Sequence, residues 1–245
     1  MAPAPFLREV RIEDAPSRSD RYPFDIPAIR QLARRSLRLH PAVTFLAGEN
    51  GSGKSTLIEA VAIAAGFNAE GGPKNLRFAG RETESALHEH LVLTWNKRPA
   101  DGFFLRAETF FNAATAIEGT GVGGAYGDRS LHEQSHGESF LALVLNRFGR
   151  TGRAGLYLLD EPEAAFSFQG CLRLLAGLHD LVNIGCQFLI ATHSPILLAF
   201  PRATIYQLDT NGISAVTYEA TDAYGLTKEF LGSPDRFFRH LFPPE

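Results

Sequence analysis

Very little in this chain marks a secreted, membrane-spanning or fibrous protein. Among 245 residues there are two cysteines, Cys171 and Cys186, and neither stands in a C-x-x-C or histidine-rich neighbourhood. That is too few for a disulfide framework, so packed thiols in a reducing compartment are expected. Long apolar runs are missing as well. Ala60 to Phe67 and Phe140 to Leu145 fall far below the ~18 residues of a transmembrane helix. The opening Met-Ala-Pro-Ala-Pro has neither a basic n-region nor an apolar h-region, so no secretory leader and a cytoplasmic location are expected. Charge of one sign is also scarce: 24 basic against 27 acidic side chains leave −3, which gives no chain-wide field for a polyanion. Any nucleic-acid contact must be local. Eight of the basic residues precede residue 40 but alternate there with acids, as on a solvated strand and turn surface. With no repeat or heptad seam, 44% apolar and 21% charged residues predict one globular domain over 1–245.

Local patterning alternates between strand and helix. Leu7 to Ile12 and Val43 to Ala47 read as strands, and Lys54 to Gly66 as a helix stopped by glycine. Leu91 to Trp95 and Phe103 to Ala107 are expected to pair antiparallel, with His88 and His90 on one side of a strand and Thr109 to Ile117 helical. Five glycines among the nine residues from Gly119 to Gly127 predict a segment of many conformations. Beyond it, helices are expected at Phe140 to Phe148, Gln169 to Leu181 and Asp222 to Phe242. Strands are expected at Leu156 to Leu159, Phe188 to Ala191, Thr204 to Leu208 and Ile213 to Tyr218. This order predicts an α/β sheet with helices on both faces.

The chemistry concentrates in three places. Gly48-Glu49-Asn50-Gly51-Ser52-Gly53-Lys54-Ser55-Thr56 fits G-x-x-x-x-G-K-[ST] and stands between a strand and a helix. Glycines let successive N–H groups turn toward phosphate, Lys54 can reach the β- and γ-phosphates, and the Ser55 hydroxyl can hold Mg²⁺. Leu156-Tyr157-Leu158-Leu159-Asp160-Glu161-Pro162-Glu163 delivers two successive acids at a strand end. Asp160 suits a magnesium shell, and Glu161 suits the orientation or deprotonation of an attacking water. The strand from Phe188 ends in Thr192-His193-Ser194-Pro195, where His193 can donate to a γ-phosphate.

In this order the motifs resemble the ABC-type ATPases, including the soluble SMC-like and RecF-like proteins. Gln134-Ser135-His136-Gly137-Glu138-Ser139 is similar to that family's signature, with Ser135, Gly137 and Glu138 at the matching positions. The resemblance spans about Val43 to Pro195. It implies a P-loop NTPase fold, namely an ABC-type nucleotide-binding domain with a mixed, mainly parallel sheet and a short helical signature lobe over about 85–150. It also implies ATP and Mg²⁺ as ligands and a head-to-tail homodimer in which one chain's signature closes on the other's γ-phosphate. Ala164 to Ser167 would then cross the dimer boundary. One departure is the family's glutamine between phosphate loop and signature: none occurs from Leu57 to Glu133, so Glu108 is the substitute. Tyr22 or Phe24 is the candidate to stack on adenine.

Three roles fit such an ATPase: DNA maintenance or defence with a nucleic-acid or protein partner, energising a transporter whose membrane part is a separate chain, or a slow binding switch. The missing glutamine weakens the transporter reading. A nuclease of the overcoming-lysogeny type is disfavoured because no room for its nuclease domain follows Phe242. His132-Glu133-Gln134-Ser135-His136 also spells H-E-x-x-H, the pattern of a zinc metallohydrolase. A glycine-rich loop before it and Gly137 after it argue against a stable ligand helix there. Metal analysis after dialysis is therefore expected to find no zinc in the purified protein, and stoichiometric zinc would reverse the order of these readings.

Overall fold

A computed structural model describes residues 4–14, 21–69, 71–73, 85–107, 136–149 and 153–242. In chain order the elements are β1 (Leu7–Ile12), α1 (Pro27–Leu32), β2 (Leu37–Arg38), β3 (Val43–Ala47), α2 (Lys54–Ala64), β4 (Gly72–Pro73), β5 (Leu91–Trp95) and β6 (Asp101–Arg106). They continue with α3 (His136–Arg147), β7 (Gly155–Asp160), α4 (Phe168–Asn183), β8 (Gln187–Thr192) and α5 (Pro195–Leu198). The last are β9 (Thr204–Asp209), β10 (Gly212–Val216), α6 (Asp222–Gly232) and α7 (Pro234–Leu241). The expected helix Thr109 to Ile117 and the glycine-rich segment Gly119 to Gly127 lie outside the described residues.

A seven-stranded sheet in the order β10-β9-β3-β8-β7-β6-β4 forms the centre. The five strands from β9 to β6 are parallel, and β10 and β4 add antiparallel edges. Parallel strands are covered on both faces, so they read as continuous apolar runs. In β7, Leu156 and Leu158 enter one core with Leu57, Ile58 and Val61 of α2 and Leu7 and Val10 of β1. Tyr157 and Leu159 enter the other core, with Phe140 and Val144 of α3, Leu174 and Leu178 of α4, and Leu197 of α5. Both faces of one short strand are thereby buried. α2 has no strongly polar side because it sits inside this packing, with Leu57, Ile58, Ala60, Val61 and Ala62 all buried.

The expected pairing of Leu91–Trp95 with the strand after it does not form. β5 pairs antiparallel with β1, through Val10 with Leu93 and Ile12 with Leu91, and completes a three-stranded sheet β2-β1-β5. β6 instead enters the central sheet beside β7. Burial explains the choice: Phe103, Phe104 and Leu105 are fully buried and need cover on two faces, whereas every β5 residue is half-buried. His88 and His90 belong to a 3₁₀ turn, Ala86–His90, rather than to a strand. Two helices replace the one expected over Asp222 to Phe242; they break at Ser233 because Pro234 disfavours helical backbone before it.

Two buried polar groups tie these layers together. The Gln187 amide accepts from Leu7 N at 2.9 Å and donates to Leu7 O at 2.8 Å and His40 O at 3.0 Å, anchoring β1 to the central sheet. The Tyr157 hydroxyl donates to Asp101 Oδ2 at 2.9 Å and accepts from Gly149 N at 2.8 Å. Arg147 Nη1, at the end of α3, donates to both Asp101 oxygens at 3.1 Å. Burial first, and Asp101 beside it, push the Tyr157 hydroxyl pKa well up, so it stays a donor. This network fixes the carboxyl end of α3 against the sheet. Tyr157→Phe leaves the Gly149 N–H without its acceptor, so urea unfolding is expected to show a loss of about 1–3 kcal/mol; an unchanged midpoint would contradict this role.

Candidate functional site

Register brings the candidate residues to one edge. Ala47 at the end of β3 pairs with Thr192 of β8, and Asp160 of β7 pairs with Ala191 of β8 and with Arg106 of β6. All four strands end their carboxyl termini together, which is where open α/β sheets present ligand sites. The loop after β3 turns sharply there. Gly48 has φ +148, and a Cβ on it would lie 2.4 Å from the Leu208 carbonyl oxygen; Gly53 has φ +97, and its Cβ would lie 2.8 Å from Ile26 Cγ2. Only glycine fits either place. Gly53 is also the residue before α2 and has no side chain to cap it, so the first-turn N–H groups of α2 remain available to an anion.

Side chains converge above this loop. Ser55 Oγ donates to Asp160 Oδ1 at 3.0 Å, and Asp160 is 5% exposed. Lys54 is buried; its Nζ donates to Glu49 O at 2.9 Å and lies 3.7 Å from Glu161 Oε1. Ser52 Oγ is buried with no hydrogen-bond partner among the described residues, a polar atom aimed at a loop that would gain a bond from an oxygen-rich ligand. A nucleotide with Mg²⁺ therefore fits the residues present: a buried ammonium, free helix amides and a hydroxyl–carboxylate pair of hard oxygens.

Glu161 and Glu163 divide the acidic strand end between them. Glu163 Oε1 accepts from Thr192 Oγ1 at 2.6 Å and His193 N at 2.7 Å, and lies 3.3 Å from His193 Nδ1. It locks the turn after β8 onto the turn after β7. Glu161 is left half-buried, 3.9 Å from His193 Nδ1, and its backbone is left-handed at φ 48 and ψ 50. Such backbone is uncommon for a side-chain-bearing residue and collects at functional sites. Its own N–H donates to Ala191 O at 2.9 Å, which fixes the turn. Burial and Glu163 push the Cys171 thiol pKa up, so that cysteine is a packed side chain beside the site.

Some expected positions lie elsewhere. Glu108, Ser135, His132 and Glu133 are outside the described residues. Gly137 and Glu138 fall in the first turn of α3, and His136 opens it. Among the described residues no group of three or more His, Cys, Asp or Glu is placed to hold a metal. Phe24 is core, 8% exposed with its ring edge-on to His90 at 5.1 Å, so it cannot stack on a base. Tyr22 is 64% exposed, and its hydroxyl is 3.2 Å from Thr56 Oγ1, beside the loop. Phe140 packs edge-on against Phe166 at 5.1 Å, which joins α3 to the turn containing Ala164–Ser167.

Four residues at this site escaped sequence reasoning: Glu163, Thr192, Arg106 and Glu59. Arg106 Nη1 donates to Glu59 Oε2 at 2.6 Å, and its Nε lies 3.5 Å from Asp160 Oδ2. Glu163 stood in the acidic run and could have been singled out. Arg106 could not, because only the β6–β7 register sets it beside Asp160.

The fold is that of the ATP-binding cassettes of ABC transporters. Residues 43–107 match the family described as "AAA domain, putative AbiEii toxin, Type IV TA system". An ATP-binding cassette of an ABC transporter is similar over 95% of this chain and 97% of its own, at 18% identity and a TM-score of 0.50. The SMC head domain from Thermotoga maritima covers 86% of this chain and 98% of its own, at 16% identity and a TM-score of 0.48. CbiO1 from Clostridium perfringens, part of the ABC transporter complex cbiONQ, covers 82% of this chain and 88% of its own, at 16% identity and a TM-score of 0.49. No curated protein sequence matches the chain. No helix among the described residues is long and apolar enough to cross a membrane.

Because Lys54 is the buried cation beside the loop, Lys54→Ala is expected to weaken ATP binding by roughly 10- to 100-fold. Calorimetry giving an unchanged affinity would remove the lysine from this role.

Proposed function

We propose that the chain binds Mg·ATP in the loop Gly48–Thr56, hydrolyses it, and does so as a head-to-tail homodimer. The observation that carries this reading is the meeting of Ser55 with Asp160 and of Lys54 with Glu161 at the carboxyl edge of one parallel sheet. The loop amides and Lys54 would hold the phosphates, and Ser55 and Asp160 would hold the metal. Bound magnesium would supply charge neutralisation on the transferred phosphoryl group. Glu161 is the acid left open toward the loop, placed to orient and deprotonate a water, while His193, steadied by Glu163, supports the γ-phosphate. Tyr22, beside Thr56, is the side chain available to an adenine ring.

The dimer reading rests on the signature positions Ser135, Gly137 and Glu138 and on α3, whose far end is fixed to the sheet by Arg147 while Phe140 reaches the 164–167 turn. A serine hydroxyl of the signature suits the γ-phosphate of a facing chain. A defence role with a macromolecular partner is favoured over transport, because the matching family is described through a toxin–antitoxin system. Salt-sensitive DNA binding would identify the partner as nucleic acid.

Glu161→Gln is expected to keep ATP, slow turnover by about 10²-fold or more, and accumulate as a dimer in size-exclusion chromatography with Mg·ATP. Turnover at the unaltered rate would remove Glu161 from catalysis, and a monomer at saturating ATP would remove the dimer.

A further inference from the structure

The helices α6 and α7 are 11 and 8 residues long and contain no buried residue. Helices shorter than ~12–15 residues are marginal in water by themselves and draw their stability from packing an apolar face against something else. These two have such a face, and it is turned outward. Leu226, Phe230, Leu231, Phe238, Leu241 and Phe242 are 39% to 72% exposed. Their rings join across the two helices: Phe230 lies 6.1 Å from Phe238, and Phe238 lies 5.6 Å from Phe242, centroid to centroid. Leu226 precedes Phe230 by one turn, and Leu241 follows Phe238 by one turn. At ~200 Å² for a large apolar side chain, the six leave roughly 600 Å² of apolar surface bare. That is the upper end of what a monomer exposes and most of the ~800 Å² that each partner gives to a stable interface.

The charges around this face decide what covers it. Asp222, Glu229 and Asp235 stand against Lys228, Arg236 and Arg239, all of them exposed, with His240 beside them, so neither sign prevails. Nucleic acid and anionic lipid need a basic field that this pair of helices lacks. A second copy meets an equal apolar face without net repulsion, and one two-fold axis closes the contact. We propose that α6 and α7 form a self-association arm through which two copies of the chain pair in the absence of nucleotide. This goes beyond the Mg·ATP reading and does not depend on it. The arm leaves the body at the sheet edge that carries the loop, for Asp222 Oδ2 accepts from Gln207 Nε2 at 3.0 Å and Gln207 pairs with Ala47. Paired arms therefore hold two loops within one assembly before any ligand arrives.

Sedimentation equilibrium of the nucleotide-free protein across the micromolar range is expected to give twice the chain mass. The double variant Phe238→Glu, Leu241→Glu sets carboxylates of both copies against one another at the contact, and is expected to raise the dissociation constant at least roughly 30-fold. A monomer at every concentration, or a dimer that the double variant leaves intact, would overturn the arm. So would a monomer that co-sediments with phosphatidylserine vesicles, which gives the face to a lipid surface. Thermal unfolding reports whether the double variant folds; if it does not, amide hydrogen exchange of the unaltered protein decides. Protection over 222–241 is then expected to rise with protein concentration, and constant protection overturns the proposal. None of these measurements contains nucleotide, so failure of this contact and failure of Mg·ATP binding are read separately. In the double variant, a dimer that appears only with Mg·ATP belongs to the head-to-tail closure.

Discussion

The hydrogen bond from Ser55 to Asp160 joins residues 105 positions apart in the chain, and everything proposed for the site depends on it. It requires that β3 and β7 run the same way and end at the same level, with β8 between them. It also requires that α2 begin at Lys54, immediately after a loop that only glycine can close at Gly48 and Gly53. The sheet register is in turn held by a core that takes alternate side chains of β7 to opposite faces. A shift of one residue in that strand would exchange Leu159 for Asp160 at the edge and turn an acid into the core. Hydrophobic packing thus decides where the carboxylate stands.

Around this bond charged side chains of both signs meet in two groups. Lys54 lies near Glu161 on the loop side, and Arg106 stands between Asp160 and Glu59 on the helix side. Burying four of these groups would be costly if any were unmatched. Glu163 is a different kind of acid. It is spent on Thr192 and the backbone of His193, and it ties together the two turns at the sheet edge.

Much of this was legible in the sequence because the signals are local. The strand before Gly48, the helix from Lys54 and the apolar run into Asp160 each announce themselves within a dozen residues. The parallel sheet follows from their alternation. What the sequence hid is long-range. Leu91–Trp95 and the strand after it look like a hairpin, and only total burial of Phe103, Phe104 and Leu105 sends β6 to the central sheet and leaves β5 for β1. Arg106 meets Asp160 and Glu59 through that same rearrangement, so no pattern of spacing could have singled them out. Tyr22 and Phe24 are equivalent as sequence; one is core and one is exposed, because Phe24 finds the ring of His90. The helix break at Ser233 was readable, since proline follows it.

Glu161 holds a left-handed backbone that most side chains avoid, and under the proposed role this sets endurance against turnover. A glycine there would relieve the conformation and delete the carboxylate at once, so the folded chain would gain resistance to heat while losing the group proposed to activate a water. Directed selection for thermal robustness alone would favour losing that carboxylate at this one position.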